Sequence, residues 1–360
     1  MKVFSFFVEP SSYTLDLISN VFMQLNIDHA FLRSSSHAKA SIKTDITALD
    51  KFKVVDQIKY IIKIYRNYDM IIFNGYNHWQ FFLSFILNTL NTKKRVIAIE
   101  SDTRFRERKG LKAILKKFYL TPIFSRRYVF GFPGGNFTHK ELFRHYGMKD
   151  ENIFLMPMMV DNSKFYTDSE RVDKPFVFLF VGRMIPLKQI EFLIQSFLKN
   201  FENSSEVLLR LVGDGELYDP LFSKYGKYEN ILFEGAKYGE ELVKSYHSSH
   251  ILILPSDREQ WGLVVNEAMA AGLPVIASDQ VGAIYDLIIG KETGFVFSLN
   301  KENDLADKML KLYEDKELYA KYSQNAKKLM KEEWNYDLYR SCLEKAIRRA
   351  EEILQERKRN

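Results

Sequence analysis

HILILPSDREQWGLVVNEAMAAGLPVIAS, residues 250–278, reads as strand, loop, helix and strand in one unbroken stretch. The apolar run HILILP ends at Pro255, and a loop with Asp257, Arg258 and Glu259 follows. Gly262 opens a helix whose apolar face is Leu263, Val264, Ala268 and Ala271. Gly272 stops it, Pro274 follows, and VIA returns to the sheet. A helix between two short buried strands implies parallel pairing with both sheet faces covered.

The same rhythm extends in both directions. FVFLFVG (176–182), VLLRLVG (207–213), NILFEG (230–235) and TGFVFS (293–298) read as further strands. Helices fall at roughly 187–200, 239–248, 262–271 and 282–288. Before these, KVFSFFV (2–8), DMIIFNG (69–75), RVIAIES (95–101), YVFGF (128–132) and NIFLMP (152–157) read as strands, and VVDQIKYIIKIY (54–65) as a helix. WQFFLSFILNTL (79–90) is shorter than the ~20 residues a bilayer needs and reads as a buried helix. The polar stretch 161–175 lacks periodicity and ends in Pro175, which makes it the domain boundary. The expected architecture is α/β: two doubly wound domains facing each other, 1–165 and 166–340, with ligands at the carboxyl ends of the strands and in the cleft between. The tail is helical from about 301, with breaks near Asp315 and Glu333. Its last helix, about 341–360, is a charged amphipathic segment expected to pack back on the N-terminal domain.

Composition narrows the class. At 360 residues the chain is long for one core, and its 46% hydrophobic content is that of a globular protein. The single cysteine, Cys342, excludes an intrachain disulfide. MKVFSFFVEP is too short an apolar run for a secretory signal, so the cytoplasm is the expected compartment and the sequons at Asn136 and Asn203 carry no glycan. The net charge of +6 is mild. Nucleic acid is not an expected partner, because the basic run lacks interleaved aromatics over a sheet face.

Three motifs bear chemistry. In FVGRMIPLK (180–188), Gly182 lets a ligand approach the backbone, and Arg183 and Lys188 near a helix start suit a diphosphate or form a solvated helix start. LVGDGEL (211–217) has Gly-x-Gly at a strand end but lacks a third glycine, so a tight turn accounts for it equally. In 256–278, Glu259 sits in the loop at the strand tip and Glu267 about a turn inside the helix. With the amides of Trp261, Gly262 and Leu263 they form a wall suited to vicinal hydroxyls. The alternative is a surface loop carboxylate and an exposed helix carboxylate.

These motifs resemble the signature of the family 4 retaining glycosyltransferases, which share the GT-B fold. Two glutamates separated by seven residues match Glu259 and Glu267. Gly-Arg with a nearby lysine matches Gly182, Arg183 and Lys188, Gly-Asp-Gly matches 213–215, and a later glycine motif matches VGAIYDLI (281–288) followed by TGFVF. The match covers about residues 150–340. Trp261 stands where many members have Phe. The resemblance implies that Arg183 and Lys188 bind the donor diphosphate and Glu267 the ribose. Glu259, with the amides of Trp261, Gly262, Leu263 and Val264, would hold the donor sugar, and Glu259 would stabilise charge on it. Gly213, Gly235 and Ala236 would lie near the base.

The N-terminal half departs from the family. The loop EPSSYT (9–14) has no glycine, and Ser11, Ser12 and Tyr13 offer hydroxyls and amides instead. IAIESDT places Glu100, Ser101 and Asp102 where some members have a histidine. Asp102 is a candidate for acceptor contact or proton handling, or else a helix N-cap. His78 is a second candidate on the acceptor side, or a packed structural residue. Pro-Gly-Gly-Asn (133–136) reads as a turn and cap. Residues 104–127 form a basic amphipathic stretch, with Leu111, Ile114, Leu115 and Phe118 at helical spacing opposite Lys109, Lys112 and Lys116. It suits an anionic membrane surface or is a solvated face.

The expected function is transfer of a sugar from a nucleotide-diphosphate donor, with retention and without a metal or other cofactor, to a glycan or lipid-linked acceptor in surface polysaccharide or glycolipid synthesis. The expected state is a monomer or weak homo-oligomer. A nucleotide-sugar epimerase and a non-catalytic nucleotide-sugar-binding protein are the rival readings.

Overall fold

The computed structural model describes residues 1–34, 48–107, 109–168 and 175–359. Part of the expected boundary (169–174) and Arg108 of the basic stretch lie outside them. The chain divides into two compact units, Met1–Met158 with Tyr336–Asn360, and Met159–Asn335.

Unit 1 begins β1 (Val3–Phe7), α1 (Ser12–Leu17), a π-helical turn (Ile18–Phe22), β2 (Asp28–Phe31) and α2 (Val54–Asn67). It continues β3 (Met70–Asn74), α3 (Trp79–Leu90), β4 (Val96–Ser101), α4 (Leu111–Phe124), β5 (Val129–Pro133) and α5 (Thr138–His145). The five strands form a parallel sheet ordered β2-β1-β3-β4-β5. Both faces are covered, so β1, β4 and β5 are buried along their whole length and lack alternation. Phe6 and Phe73 are cross-strand partners with stacked rings, centroids 4.9 Å apart.

Unit 2 restarts with β6 (Phe176–Val181), α6 (Ile190–Phe201), β7 (Val207–Val212), α7 (Tyr218–Tyr225), β8 (Ile231–Gly235), α8 (Gly239–His247) and β9 (Ile251–Leu254). Then come α9 (Leu263–Ala270), β10 (Val275–Ser278), α10 (Ile284–Leu287), β11 (Gly294–Phe297), α11 (Asp304–Glu314) and α12 (Lys316–Glu332). Its parallel sheet is ordered β11-β10-β9-β6-β7-β8. α6 buries Ile190, Leu193, Ile194, Phe197 and Phe201 against it, a 3.6-residue stripe. The last helix, α13 (Tyr336–Arg359), belongs to unit 1. There the Met1 amino group pairs with Glu351 at 3.2 Å, and Arg340 donates to the Asn20 carbonyl.

Several expectations are corrected. NIFLMP is not a strand: Ile153 makes one isolated bridge to Gly131, because the amides of Phe154 and Met156 bond β5 on one side only. β2, four residues with one buried, and α7 carried too little periodicity to be read. α3 is buried on one face only; Ile86 and Leu90 are exposed. Asp102 is not a helix cap, since α4 starts at Leu111 after Gly110. The α9 helix starts at Leu263, one residue later than read, with Gly262 as its cap. No helix among the described residues is long and apolar enough to cross a membrane.

Candidate functional site

In unit 2 the chain runs from β6 outward to β8, then returns to lay β9 on the other side of β6. The loops after β6 and β9 therefore leave adjacent strand ends in divergent directions. Such a switch point is where doubly wound sheets receive ligands.

The loop after β6 carries Gly182, exposed Arg183 and buried Met184. A 3-10 turn (Pro186–Lys188) and Gln189 in the left-handed region lead into α6. The Gly182 amide donates to the Val212 carbonyl at 3.0 Å, and the Gly213 amide to the Gly235 carbonyl at 2.8 Å. Three sequence-singled glycines thus tie the tips of β6, β7 and β8 together. Gly213 has φ 144°, and a Cβ there would lie 1.8 Å from the Gly182 carbonyl oxygen, so no side chain fits. Gly235 ends β8, and exposed Ala236 follows it.

The loop after β9 is held from two sides. The Asp257 amide donates to the Leu187 carbonyl at 2.9 Å, joining it to the loop after β6. Glu259 exchanges backbone bonds with the segment after β10: its amide donates to Gln280, and its carbonyl accepts from Gly282, both at 3.2 Å. The Ala283 amide donates to the Trp261 carbonyl at 3.0 Å. The glycine motif at 281–288 therefore pins the backbone of Glu259. Its carboxylate forms an ion pair with the Lys188 ammonium, both side chains being about one-fifth exposed. Among the described residues no carboxylate pairs with Arg183.

Gly262 caps α9 at φ 99°. A Cβ there would lie 3.0 Å from Leu254 Cδ2 and 3.3 Å from Glu259 Cγ. The amides of Leu263 and Val264 head the helix, where α-helical geometry supplies no acceptor. The Trp261 side chain points away from this role. It is buried, stacks on Trp334 at 5.4 Å, and donates its indole N–H to Asn266 Oδ1 at 2.8 Å. Only its backbone remains a candidate contact.

Glu267 lies one turn into α9, partly accessible, with Oε2 accepting a hydrogen bond from the hydroxyl of Tyr246 on α8. Burial raises the Glu267 carboxyl above its ordinary pKa, while the tyrosine bond pulls it down. Burial, then the charge of Glu267, holds the Tyr246 phenol well above its ordinary value. Sequence reading missed Tyr246, since nothing in the helix at 239–247 marks one aromatic as a carboxylate partner.

In unit 1 the order β2-β1-β3 sets another switch point between β1 and β3. Ser11 follows β1 and its hydroxyl is used locally, capping α1 and bonding Thr14 Oγ1 at 2.7 Å. Ser12 and Tyr13 are exposed on α1. His78 follows β3 as the residue before α3, partly buried, its pKa lowered by burial and then by Arg33. Asp102 is exposed just past β4, and the Gly134 amide donates to the adjoining Ser101 carbonyl at 2.9 Å. Beside it Glu100 is buried, accepting from Asn74 Nδ2 at 3.3 Å and Tyr339 at 3.2 Å. Burial pushes the Glu100 carboxyl up to about 7.

α4 departs from the usual pattern. Leu111, Ile114, Leu115 and Phe118 are all exposed, Phe118 by 81%, and only Leu120, Ile123 and Phe124 enter the core. Lys112 and Lys117 are exposed beside them. Lys116 is instead held by Tyr76, donating to its hydroxyl at 2.9 Å.

Residues 161–329 match the family model for glycosyl transferases group 1. An uncharacterised glycosyltransferase of Methanocaldococcus jannaschii is 32% identical over 155 residues, 42% of each chain. A GDP-mannose-dependent alpha-mannosyltransferase of Mycobacterium tuberculosis is 36% identical over 142 residues, 39% of this chain and 35% of that one. This chain thus spans less than half the length of these curated relatives. Among solved structures, HepE of Anabaena in complex with UDP superposes with a TM-score of 0.75 at 15% identity, over 96% of this chain and 99% of that one. The two parallel-sheet units are those of the GT-B fold. The match to the glycosyl transferases group 1 is carried by residues 161–329, just under half of this chain.

Proposed function

We propose that the protein is a retaining glycosyltransferase of the family 4 type, taking a sugar from a nucleotide-diphosphate donor held by unit 2. The observation that carries this reading is the meeting of Lys188 and Glu259 at the switch point between β6 and β9, with Glu267 one turn into α9. Arg183 and Lys188 take the diphosphate, supplying the positive charge that a divalent ion supplies elsewhere. Glu267 accepts the ribose hydroxyls. Glu259, with the amides of Trp261, Gly262, Leu263 and Val264, holds the donor sugar.

As the sugar–phosphate bond breaks, positive charge grows on the anomeric carbon and ring oxygen. A fixed carboxylate at Glu259 favours that state over the ground state. Gly213, Gly235 and Ala236 lie on the base side. The relatives do not select the base: one is named for GDP-mannose, and the Anabaena structure holds UDP.

Unit 1 receives the acceptor, a glycan or lipid-linked saccharide of surface polysaccharide or glycolipid synthesis. Ser12, Tyr13, His78 and the Ser11 backbone line the loops at its own switch point, and Asp102 handles the acceptor proton. The exposed apolar row of α4 with Lys109, Lys112 and Lys117 favours docking on an anionic membrane surface at the cytoplasmic face.

A thermal-shift screen of nucleoside-diphosphate sugars tests the reading. A donor at 100 times its dissociation constant adds about 2.7 kcal/mol of stability. Product NMR then reads the anomeric configuration. No shift with any UDP- or GDP-sugar, or an inverted product, would sink it.

A further inference from the structure

Tyr246 is fully buried on α8, its ring edge-on to Phe165 at 5.5 Å. Its hydroxyl donates to one oxygen of Glu267, and the other oxygen has no hydrogen-bond partner among the described residues. A partly accessible carboxylate held by a single donor is restricted in rotation, and a charge-assisted bond of this kind favours its ionised form. Without that donor, burial alone acts on Glu267 and favours the neutral acid. A neutral acid is a poorer acceptor for a diol.

We infer that Tyr246 is a positioning residue, whose buried hydroxyl holds Glu267 ionised with its free oxygen presented to the vicinal hydroxyls of a nucleoside diphosphate. The inference rests on the ribose role proposed for Glu267 and adds the group that acts through it. Phe165 and the body of the ring supply packing, which a phenylalanine at 246 would keep. The hydroxyl therefore separates positioning from structure.

The test is calorimetry with UDP and GDP and their 2′-deoxy counterparts on the full chain. Wild type should prefer the ribonucleotide about tenfold or more. Tyr246→Phe should lower ribonucleotide affinity about tenfold and leave the deoxy affinity within about twofold, so the preference collapses. The loss should be larger at pH 6 than at pH 8, because the Glu267 carboxyl, without its donor, titrates higher. In a Glu267→Ala background, adding Tyr246→Phe should change the preference no further, a double-mutant cycle that also removes the carboxylate the single variant leaves without its donor. Melting temperatures confirm folding, and should the single variant unfold, the comparison of Glu267→Ala with the double variant decides.

Equal loss of both nucleotides in Tyr246→Phe, an unchanged preference, or a further change in the Glu267→Ala background would overturn the positioning role while leaving the donor site standing. Failure of wild type to bind either nucleotide would overturn the donor site and the positioning role together.

Discussion

Lys188 and Glu259, 71 residues apart in the chain, close an ion pair where β6 and β9 end side by side. The proposed roles draw them to different parts of one donor, the lysine to the diphosphate and the carboxylate to the sugar. Replacing Glu259 by Gln releases Lys188 and removes the charge that favours the transition state. Turnover should fall ~10²-fold or more, while affinity for free nucleoside diphosphate should hold or rise. Steady-state kinetics and calorimetry read the two effects separately; a change confined to the Michaelis constant would reverse the assignment.

Arg183→Ala and Lys188→Ala should each weaken nucleoside-diphosphate binding by roughly 10- to 100-fold, the range of a charge-assisted hydrogen bond. Melting temperatures should barely move for Arg183, which is exposed. Activity should persist in excess chelator. Complete loss in EDTA with recovery in magnesium or manganese would make Asp257 and Glu259 metal ligands instead.

Glu267→Ala should chiefly raise the donor dissociation constant, because ribose contacts exist in both ground and transition states. The raised Glu267 carboxyl adds a pH signature. Its ionised form accepts the hydroxyls, so donor affinity should decline on acidification at a higher pH than an ordinary carboxylate would set. The alanine variant should show no such decline. Binding curves from pH 4.5 to 8 decide.

Glu100 offers a stability test in unit 1. Its carboxyl rises from 4.5 to about 7 on folding, so the neutral acid is the form the fold favours. The contribution is present below about 4.5 and is lost as pH rises toward 7, a range worth on the order of 3 kcal/mol. Glu100→Gln should therefore gain on wild type between pH 5 and pH 8 in thermal denaturation. Parallel curves at the two pH values would contradict it.

Serine at Leu111, Ile114, Leu115 and Phe118 should leave the fold unchanged, since all four are exposed, yet abolish binding to anionic vesicles. Glutamate at Lys109, Lys112 and Lys117 should weaken it by about tenfold or more, at roughly 1 kcal/mol per cation. Lys116→Glu should instead lower the melting temperature, because Lys116 bonds Tyr76. Co-sedimentation and nucleotide calorimetry on the same variants separate docking from donor binding.

The sequence by itself determined the class of fold, because short unbroken apolar runs such as HILILP and FVFLFV, alternating with amphipathic helical segments, imply parallel strands covered on both faces. It also placed Gly182, Gly213 and Glu259 at strand ends and Glu267 about a turn inside a helix, since glycine and polar residues punctuate those runs. Short or one-sided elements escaped it: β2 and the single bridge at Ile153 have too few buried positions to show a period. Tertiary structure alone decided which side chains meet. Strand order puts β9 beside β6 and so joins Lys188 to Glu259, and the packing of α8 near α9 brings Tyr246 to Glu267. It turned Trp261 inward onto Trp334 and left Phe118 outside, although both read alike as apolar residues at helical or loop positions. Periodicity records which face an element buries; the partner across that face is set by contacts between residues far apart in the chain.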